Sequence, residues 1–200
     1  MAKKATTSQA IKLPSPITKG TVSLEETLRK RRSKRNFKDK NLTLEQISQL
    51  LWAAQGVTDS RGYRTAPSAG ALYPLEVYIV KSDGVFHYEP LDHKLTTVVS
   101  EDRRKNLALA ALGQSFIAEA PLDIIIAAVY GRTKIRYGGR TERYVHMEAG
   151  HAAQNIHLEA VALGLGSVPI GAFWDDRVAK ALDLPAEHKP LYIIPVGYSK

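Results

Sequence analysis

The chain has no cysteine among its 200 residues. That absence excludes disulfides, thiolate catalysis, zinc–sulfur sites and iron–sulfur clusters together. Long apolar runs are missing too: no stretch of 18 or more hydrophobic residues offers a transmembrane helix, and no membrane partner is expected. The first 20 residues hold no apolar block of the signal-peptide kind, so the expected location is the cytoplasm. There is no His-Glu-x-x-His segment, and His146, His151 and His157 are spaced by five and six, which brings no neighbouring two together on one helix face. His151, amid small residues, reads as a structural group, and His87 and His93 fall in or beside a hairpin. No metal site is expected. A Gly-x-Gly-x-x-Gly segment opening a helix after a strand is also lacking, which argues against a Rossmann nucleotide site.

What is present has the proportions of one globular domain, 44% hydrophobic and 24% charged. The formal charge of +8 invites a phosphate-rich partner. Its distribution narrows the choice. Residues 1–40 carry twelve Lys and Arg against three acids, a local excess of +9; the other 160 residues hold sixteen against seventeen. Eight of those twelve cations lie between Arg29 and Lys40. A nucleic-acid surface spreads its cations over several elements and adds aromatics for stacking, whereas Phe37 is the one aromatic here. One compact cluster suits a small anion, and nucleic acid is not expected as a partner.

Residues 1–20, with Pro14, Pro16 and Gly20, read as an extended or mobile arm, leaving 21–200 as the domain. Ser23-Leu-Glu-Glu26 and Thr43-Leu-Glu-Gln46 are capping boxes that open two helices. The second places Leu44, Ile47, Leu51 and Ala54 along one stripe and stops at Gly56. Residues 57–75 read as a long loop, and Glu76–Lys81 and Val85–Glu89 as a hairpin across Asp83-Gly84. Glu101–Leu112 is expected to be helical, and the apolar run Leu122–Val129 to be a strand buried on both faces. Tyr130–Tyr144 reads as a polar, basic loop. Tyr144–Leu163 is the longest helical pattern, its alanines allowing close approach of another helix; a short helix over Asp175–Leu182 and a strand over Leu191–Val196 follow. The elements describe one α+β domain.

Three segments carry chemistry. In Arg31-Arg32-Ser33-Lys34-Arg35 the spacing by two sets Arg31, Ser33 and Arg35 on one side of an extended chain, where convergent donors suit a phosphate monoester. A solvated basic stretch favoured by the preceding helix dipole is the plainer alternative. In Arg64–Pro74, the run Pro67-Ser68-Ala69-Gly70-Ala71-Leu72 is small enough for a planar ligand to lie on its backbone, or it is simply a turn. In Gly164–Phe173, a helix stop is followed by Pro169-Ile170-Gly171-Ala172, whose backbone N–H groups could meet a heteroaromatic edge.

In this order the three segments resemble the nitroreductase family of flavin oxidoreductases over residues 22–200. Leu50–Gly56, Arg64–Pro74 and Glu148–Asn155 make the likeness closest to the SagB-type dehydrogenase branch. The resemblance implies an α+β fold, a mainly antiparallel sheet flanked by helices, in an intertwined homodimer with FMN in each interface cleft. Arg31, Arg32, Ser33 and Arg35 would hold the phosphate, helped by Lys200. Pro67, Ser68, Ala69, Gly70 and Leu72 would line the flavin from the partner subunit, and Pro169, Ile170, Gly171 and Ala172 would lie by the isoalloxazine. The implied reaction is ping-pong, with NAD(P)H as donor and a small organic acceptor such as a nitroaromatic or quinone. Azoline oxidation of the SagB type and non-catalytic flavin binding are the alternatives. Two departures bear on this: Ala71 stands where many relatives have a flavin-touching Asn, and Arg136 stands where azoline oxidisers have the Lys of a Lys-Tyr pair. Arg stays protonated and is a poor base, which leaves Tyr137 as a weak catalytic candidate.

Overall fold

The run Leu122–Ala128 is buried at all seven positions and lies third from one end of a seven-stranded sheet. Its alternation divides the protein. Leu122, Ile124, Ile126 and Ala128 enter one core, and Ile125 and Ala127 enter another on the opposite face. A strand apolar at every position is the sequence consequence of having two cores to fill.

The structure, a computed structural model, describes residues 10–200. In chain order the elements are β1 (Ala10–Lys12), α1 (Leu24–Lys30), α2 (Leu44–Gln55), a 3-10 turn at Ala69–Ala71, β2 (Leu75–Lys81), β3 (Gly84–Glu89), β4 (Lys94–Val99), α3 (Arg104–Ala110), α4 (Ser115–Glu119), β5 (Leu122–Ala128), α5 (Tyr130–Tyr137), a second 3-10 turn at Gly138–Arg140, α6 (Thr141–Ala162), β6 (Gly166–Ser167), α7 (Asp175–Ala181) and β7 (Lys189–Gly197). The sheet order is β1-β4-β3-β2-β5-β7-β6 and every pairing is antiparallel. The α+β class and antiparallel sheet expected from the sequence are therefore present.

Both N-caps form at the expected residues, but only the second closes into a reciprocal capping box, the Glu26 carboxylate turning instead to Lys30. Ser23 Oγ accepts the Glu26 N–H at 3.1 Å, and Thr43 and Gln46 exchange side-chain and backbone bonds. Helix α2 packs on α6, where Ala149, Ala152, Ala153 and Ala160 are buried and small enough to permit it. Of the two forms expected for the arm, extended or mobile, residues 10–17 take the first and are tied down. β1 pairs with β4, Ser48 Oγ donates to the Pro14 carbonyl at 2.6 Å, and the Gln49 amide bonds both backbone groups of Ile17 at 2.8 and 3.0 Å. Met1–Gln9, with Lys3 and Lys4, lie outside the described residues.

The expected loop over 130–144 is instead α5, the second 3-10 turn and the first turn of α6. Helix α5 buries only Thr133 and leaves Ile135 91% exposed, so it presents no apolar stripe by which a sequence reading could find it. β4 and the five-residue α4 also stand where no element was expected.

Asp123 breaks the apolar pattern of β5. It is fully buried between Val80 and Pro195, and neither carboxylate oxygen has a partner. Burial pushes its pKa well above the ordinary 3.8, Arg104 opposing and Asp102 adding to the effect. Because the folded value is raised, the unfolded chain ionises first, and stability falls as pH rises past 3.8. Asp123→Asn is expected to stabilise the fold at pH 7 and so raise Tm, each tenfold by which burial weakens the acid being worth about 1.4 kcal/mol of unfolding free energy. The gain should vanish below pH 3.8, which thermal melts across pH 3–8 would show.

Candidate functional site

The basic segment is built by backbone pairing. After α1 the chain runs extended, with Ser33 bridged to Ser167 and Phe37 to Ser199. The Lys34 N–H donates to the Ser167 carbonyl at 3.0 Å, the Lys38 N–H to Tyr198 at 2.8 Å, and the Lys200 N–H to Asn36 at 3.1 Å. Phe37 is the buried anchor. Two glycines make room. A Cβ on Gly166 would stand 2.3 Å from Ser199 Oγ and 2.8 Å from Lys34 Cβ, and one on Gly197 would meet Pro121 at 2.7 Å. This weave places Arg31, Ser33 and Arg35 in the same neighbourhood as the chain end at Lys200.

The donors there have few competitors. Arg31, Lys34, Arg35 and Lys200 form no ion pair among the described residues. Arg32 bonds only the carbonyls of Arg29 and Arg31, and the Arg35 guanidinium sits 5.9 Å from the Phe116 ring centroid. Beneath them His157 is buried, its Nδ1 2.8 Å from Ser167 Oγ and its Nε2 without a partner. Burial and the nearby Arg31 charge hold its pKa down to about 4, so the imidazole is neutral. A set of cations and a hydroxyl without carboxylates fits a phosphate.

The Pro169–Ala172 segment is adjacent through β7. Ile170 exchanges both backbone bonds with Ile193, at 2.9 and 3.0 Å, and its side chain is buried in the second core. Pro169 has no N–H. The free donors of this segment are thus the exposed Gly171 and Ala172, whose N–H groups bond nothing among the described residues. A Cβ at Gly171 would meet nothing within 4 Å, so this stretch faces open space. The Ala172 carbonyl is steadied by Gln114 Nε2 at 3.1 Å.

The Pro67–Leu72 segment is elsewhere. No hydrogen bond or ring contact among the described residues joins it to Arg31–Arg35 or to Pro169–Ala172. It packs instead on Arg136 and Tyr137: a Cβ on Gly70 would stand 2.9 Å from Tyr137 Oη and 3.0 Å from Arg136 Nη1. Tyr137 also meets the Tyr144 ring edge-on at 5.0 Å. The loop and the Arg-Tyr pair, read separately in the sequence, meet here.

A network that sequence reasoning missed holds this loop. Gly70, Ala71 and Tyr73 all have positive φ, at 63°, 52° and 45°. Tyr73 is fixed from four sides: its N–H donates to Ser68 Oγ (2.9 Å), its hydroxyl accepts from the Arg64 N–H (3.2 Å), its carbonyl accepts from Arg132 Nη1 (3.0 Å), and the Arg64 guanidinium lies 4.5 Å over its ring. Arg132 also pairs with Glu76, whose other oxygen lies 2.6 Å from His87 Nε2. Arg64 bonds Gln55 Oε1 at 2.9 Å and acts electrostatically on the buried Glu148. These partners are scattered from 55 to 148, and no local spacing announces them. Three further histidines have partners of their own, His93 with Ser48 and Tyr88, His146 with Tyr130, and His188 with Tyr78 and, at 6.3 Å between centroids, the His87 ring; His151 is exposed on α6 and bonds nothing among the described residues.

The nitroreductase family model matches residues 28–198. The chain belongs to that family. It is 49% identical over 182 residues to a protein described as a nitroreductase of Methanocaldococcus jannaschii, covering 88% of this chain and 91% of that one. The microcin B17-processing protein McbC of Escherichia coli is more distant, at 30% over 74% of this chain and 60% of its own length. The FMN reductase [NAD(P)H] of Bacillus subtilis is 26% identical over 86% of this chain and 64% of that protein. A crystal structure of a protein described as a nitroreductase from Ralstonia eutropha JMP134 superposes with TM-score 0.87 at 34% identity, covering 96% of this chain and 90% of that one. The nitroreductase-like fold expected from the sequence is the fold observed.

The Glu76 network makes a prediction of its own. Although burial works to raise its pKa, His87 and Arg132 hold Glu76 down to about 2. A carboxylate depressed in the folded state stabilises above its ordinary 4.5 and loses that contribution as pH falls through the folded value. Glu76→Gln should cost about 2–3 kcal/mol at pH 7 in urea unfolding. The deficit should close as pH falls from 4.5 toward 2.

Proposed function

We propose that this nitroreductase-family oxidoreductase is FMN-dependent and oxidises NAD(P)H to reduce a small organic acceptor such as a nitroaromatic or quinone, in a ping-pong cycle. The observation that carries this is the gathering of Arg31, Ser33, Arg35 and Lys200 without a carboxylate among their described partners. FMN, when bound, supplies the two-electron carriage that the side chains lack. The chain's own part is to bind and orient. Arg31 and Arg35 offer planar forks to a phosphate, Ser33 adds a hydroxyl, and Gly171 and Ala172 present free N–H groups where a ring edge gains charge. The likeness to the Bacillus FMN reductase [NAD(P)H] supports both cofactors.

Residues 67–72 complete the site from a second copy of the chain in this reading. Their separation from the basic segment within one chain supports that, as do the exposed Leu24 and Leu28 on α1. Azoline oxidation is the second reading, favoured by the contact of Tyr137 with the Gly70 loop and by the likeness to McbC. Arg136 cannot serve there as a base, so Tyr137 would have to act without one.

Two measurements test the assignment. Anaerobic protein loaded with FMN should bleach on adding NADH or NADPH and recover its colour with a nitroaromatic, a quinone or an azoline peptide, whichever is the acceptor. A flavoprotein that neither nucleotide bleaches would leave flavin binding without catalysis. In the second, Arg35→Ala should weaken FMN at least tenfold, the equivalent of one charge-assisted hydrogen bond, and leave riboflavin affinity unchanged. Equal losses for both flavins would remove Arg35 from the phosphate.

A further inference from the structure

The surface where α5 turns into α6 is a charged patch that the proposed chemistry leaves unused. Between Tyr130 and Met147 the chain carries Arg132, Lys134, Arg136, Arg140 and Arg143 against one acid, Glu142. Arg132 is engaged by Glu76. The other four cations are exposed and form no ion pair among the described residues, and neither does Glu142. Two of the four frame an aromatic pair. Tyr137 and Tyr144, both half-buried, meet edge-on at 5.0 Å. The Arg136 guanidinium lies 5.6 Å from the Tyr137 centroid, and Arg140 Nη1 lies 3.5 Å from Tyr144 Oη.

This patch adjoins the loop that lines the flavin in the reading above. A Cβ on Gly70 would stand 2.9 Å from Tyr137 Oη and 3.0 Å from Arg136 Nη1, so the patch begins at the loop itself and reaches the cleft with it. Its far side is open: a Cβ on Gly138 or Gly139, in the turn between the two tyrosines, would meet nothing within 4 Å. Cations beside aromatic rings, with no carboxylate paired to them, suit a ligand that is both anionic and flat. A nucleotide has that chemistry. The all-antiparallel sheet offers no Rossmann unit to hold one, so the adenosine end of a nicotinamide donor has to rest on the surface next to the flavin.

We propose that Arg136 and Arg140, with Lys134 and Arg143 around them, make this chain select NADPH over NADH by binding the 2′-phosphate of the adenosine half beside the Tyr137–Tyr144 pair. The inference rests on the reading that a nicotinamide donor reduces FMN in this protein. The two donors differ only in that phosphate, a monoester with a charge of about −1.5 to −2 at pH 7. Sites that take the unphosphorylated ribose present a carboxylate to its 2′-hydroxyl, whereas sites that take the phosphate present arginine. Four unpaired cations against one acid put this surface with the second kind. Arg136 also gains a task that suits it: a guanidinium is no base, but it is a planar fork for phosphate oxygens.

The test compares the two donors on the FMN-loaded protein. At about 20 mM salt, kcat/KM for NADPH should exceed that for NADH about tenfold or more, and the ratio should shrink as salt rises to about 300 mM. Arg140→Glu and Lys134→Glu, both reversals of an exposed charge, should each lower the ratio about three- to tenfold. Lys19→Glu, on the arm and outside the patch, should leave it unchanged. A second readout needs no turnover. In calorimetric titrations of the FMN-loaded protein, adenosine 2′,5′-bisphosphate should bind more tightly than AMP by a similar factor, and Arg140→Glu should remove most of the difference. Equal kcat/KM for the two donors, a preference that both reversals leave unchanged, or bisphosphate bound no better than AMP overturns the selection while leaving the FMN and NAD(P)H reading intact. A flavoprotein that neither nucleotide bleaches overturns the donor reading, and the selection with it.

Discussion

The site depends on holding like charges together without counter-ions. Arg31, Lys34, Arg35 and Lys200 repel one another, by about 1 kcal/mol per pair at 4 Å in water and less beyond a Debye length near 8 Å. What opposes the repulsion is backbone pairing and one anchor. Lys34, Lys38 and Lys200 each donate a main-chain bond across this weave, and Phe37 is buried beneath it. Burial of a Phe side chain contributes about 1.5–3 kcal/mol, comparable with the repulsion it offsets. The cations, exposed at Lys34, Arg35 and Lys200 and half-buried at Arg31, can then stay without ion-pair partners among the described residues. Gly166 makes this possible, since any side chain there would push Lys34 and Ser199 away from β6.

The Pro67–Leu72 loop solves the opposite problem. Ala71 and Tyr73 sit in the left-handed region, where a residue with a side chain costs of order 1–3 kcal/mol. Such strain persists only where surroundings over-determine it. Here Arg64, Arg132 and Ser68 fix Tyr73 on its N–H, hydroxyl, carbonyl and ring, and Glu76 and His87 fix Arg132 in turn. The loop's shape is thus tied to the start of β2 and to α5 and α6. A surface strained in this way is pre-organised, which lowers the ordering cost of binding a rigid planar ligand.

How much of this could be read from the sequence followed from the range of the interactions. The N-cap at Ser23, the capping box of Thr43 with Gln46 and the apolar run of β5 are decided within a few residues, and each is present where the sequence puts it. Helix α5 carries no apolar stripe in its sequence and depends on neighbours for its fold, so nothing local separates it from a loop. The basic segment stands out in the sequence as a candidate site, but its partners do not: Ser33 meets Ser167, and Asn36 meets Lys200, across more than 130 residues. Ile170 shows the same limit from the other side. Its place in a flavin-like motif is plain in the sequence, yet only the pairing with Ile193 reveals that its N–H is already taken. Lys12 and Lys19, part of the early charge excess, have no role in the site.

Helix α6 links the two halves electrostatically. It carries Glu148 beneath the strained loop and His157 beneath the basic segment, nine residues or about 14 Å apart along the axis. Burial moves each toward its uncharged form, the acid up to about 7 and the imidazole down to about 4. An ionised His157 would add to the cations above it. Keeping His157 neutral leaves the field of Arg31 and Arg35 directed outward, without an opposing or competing charge in the core below.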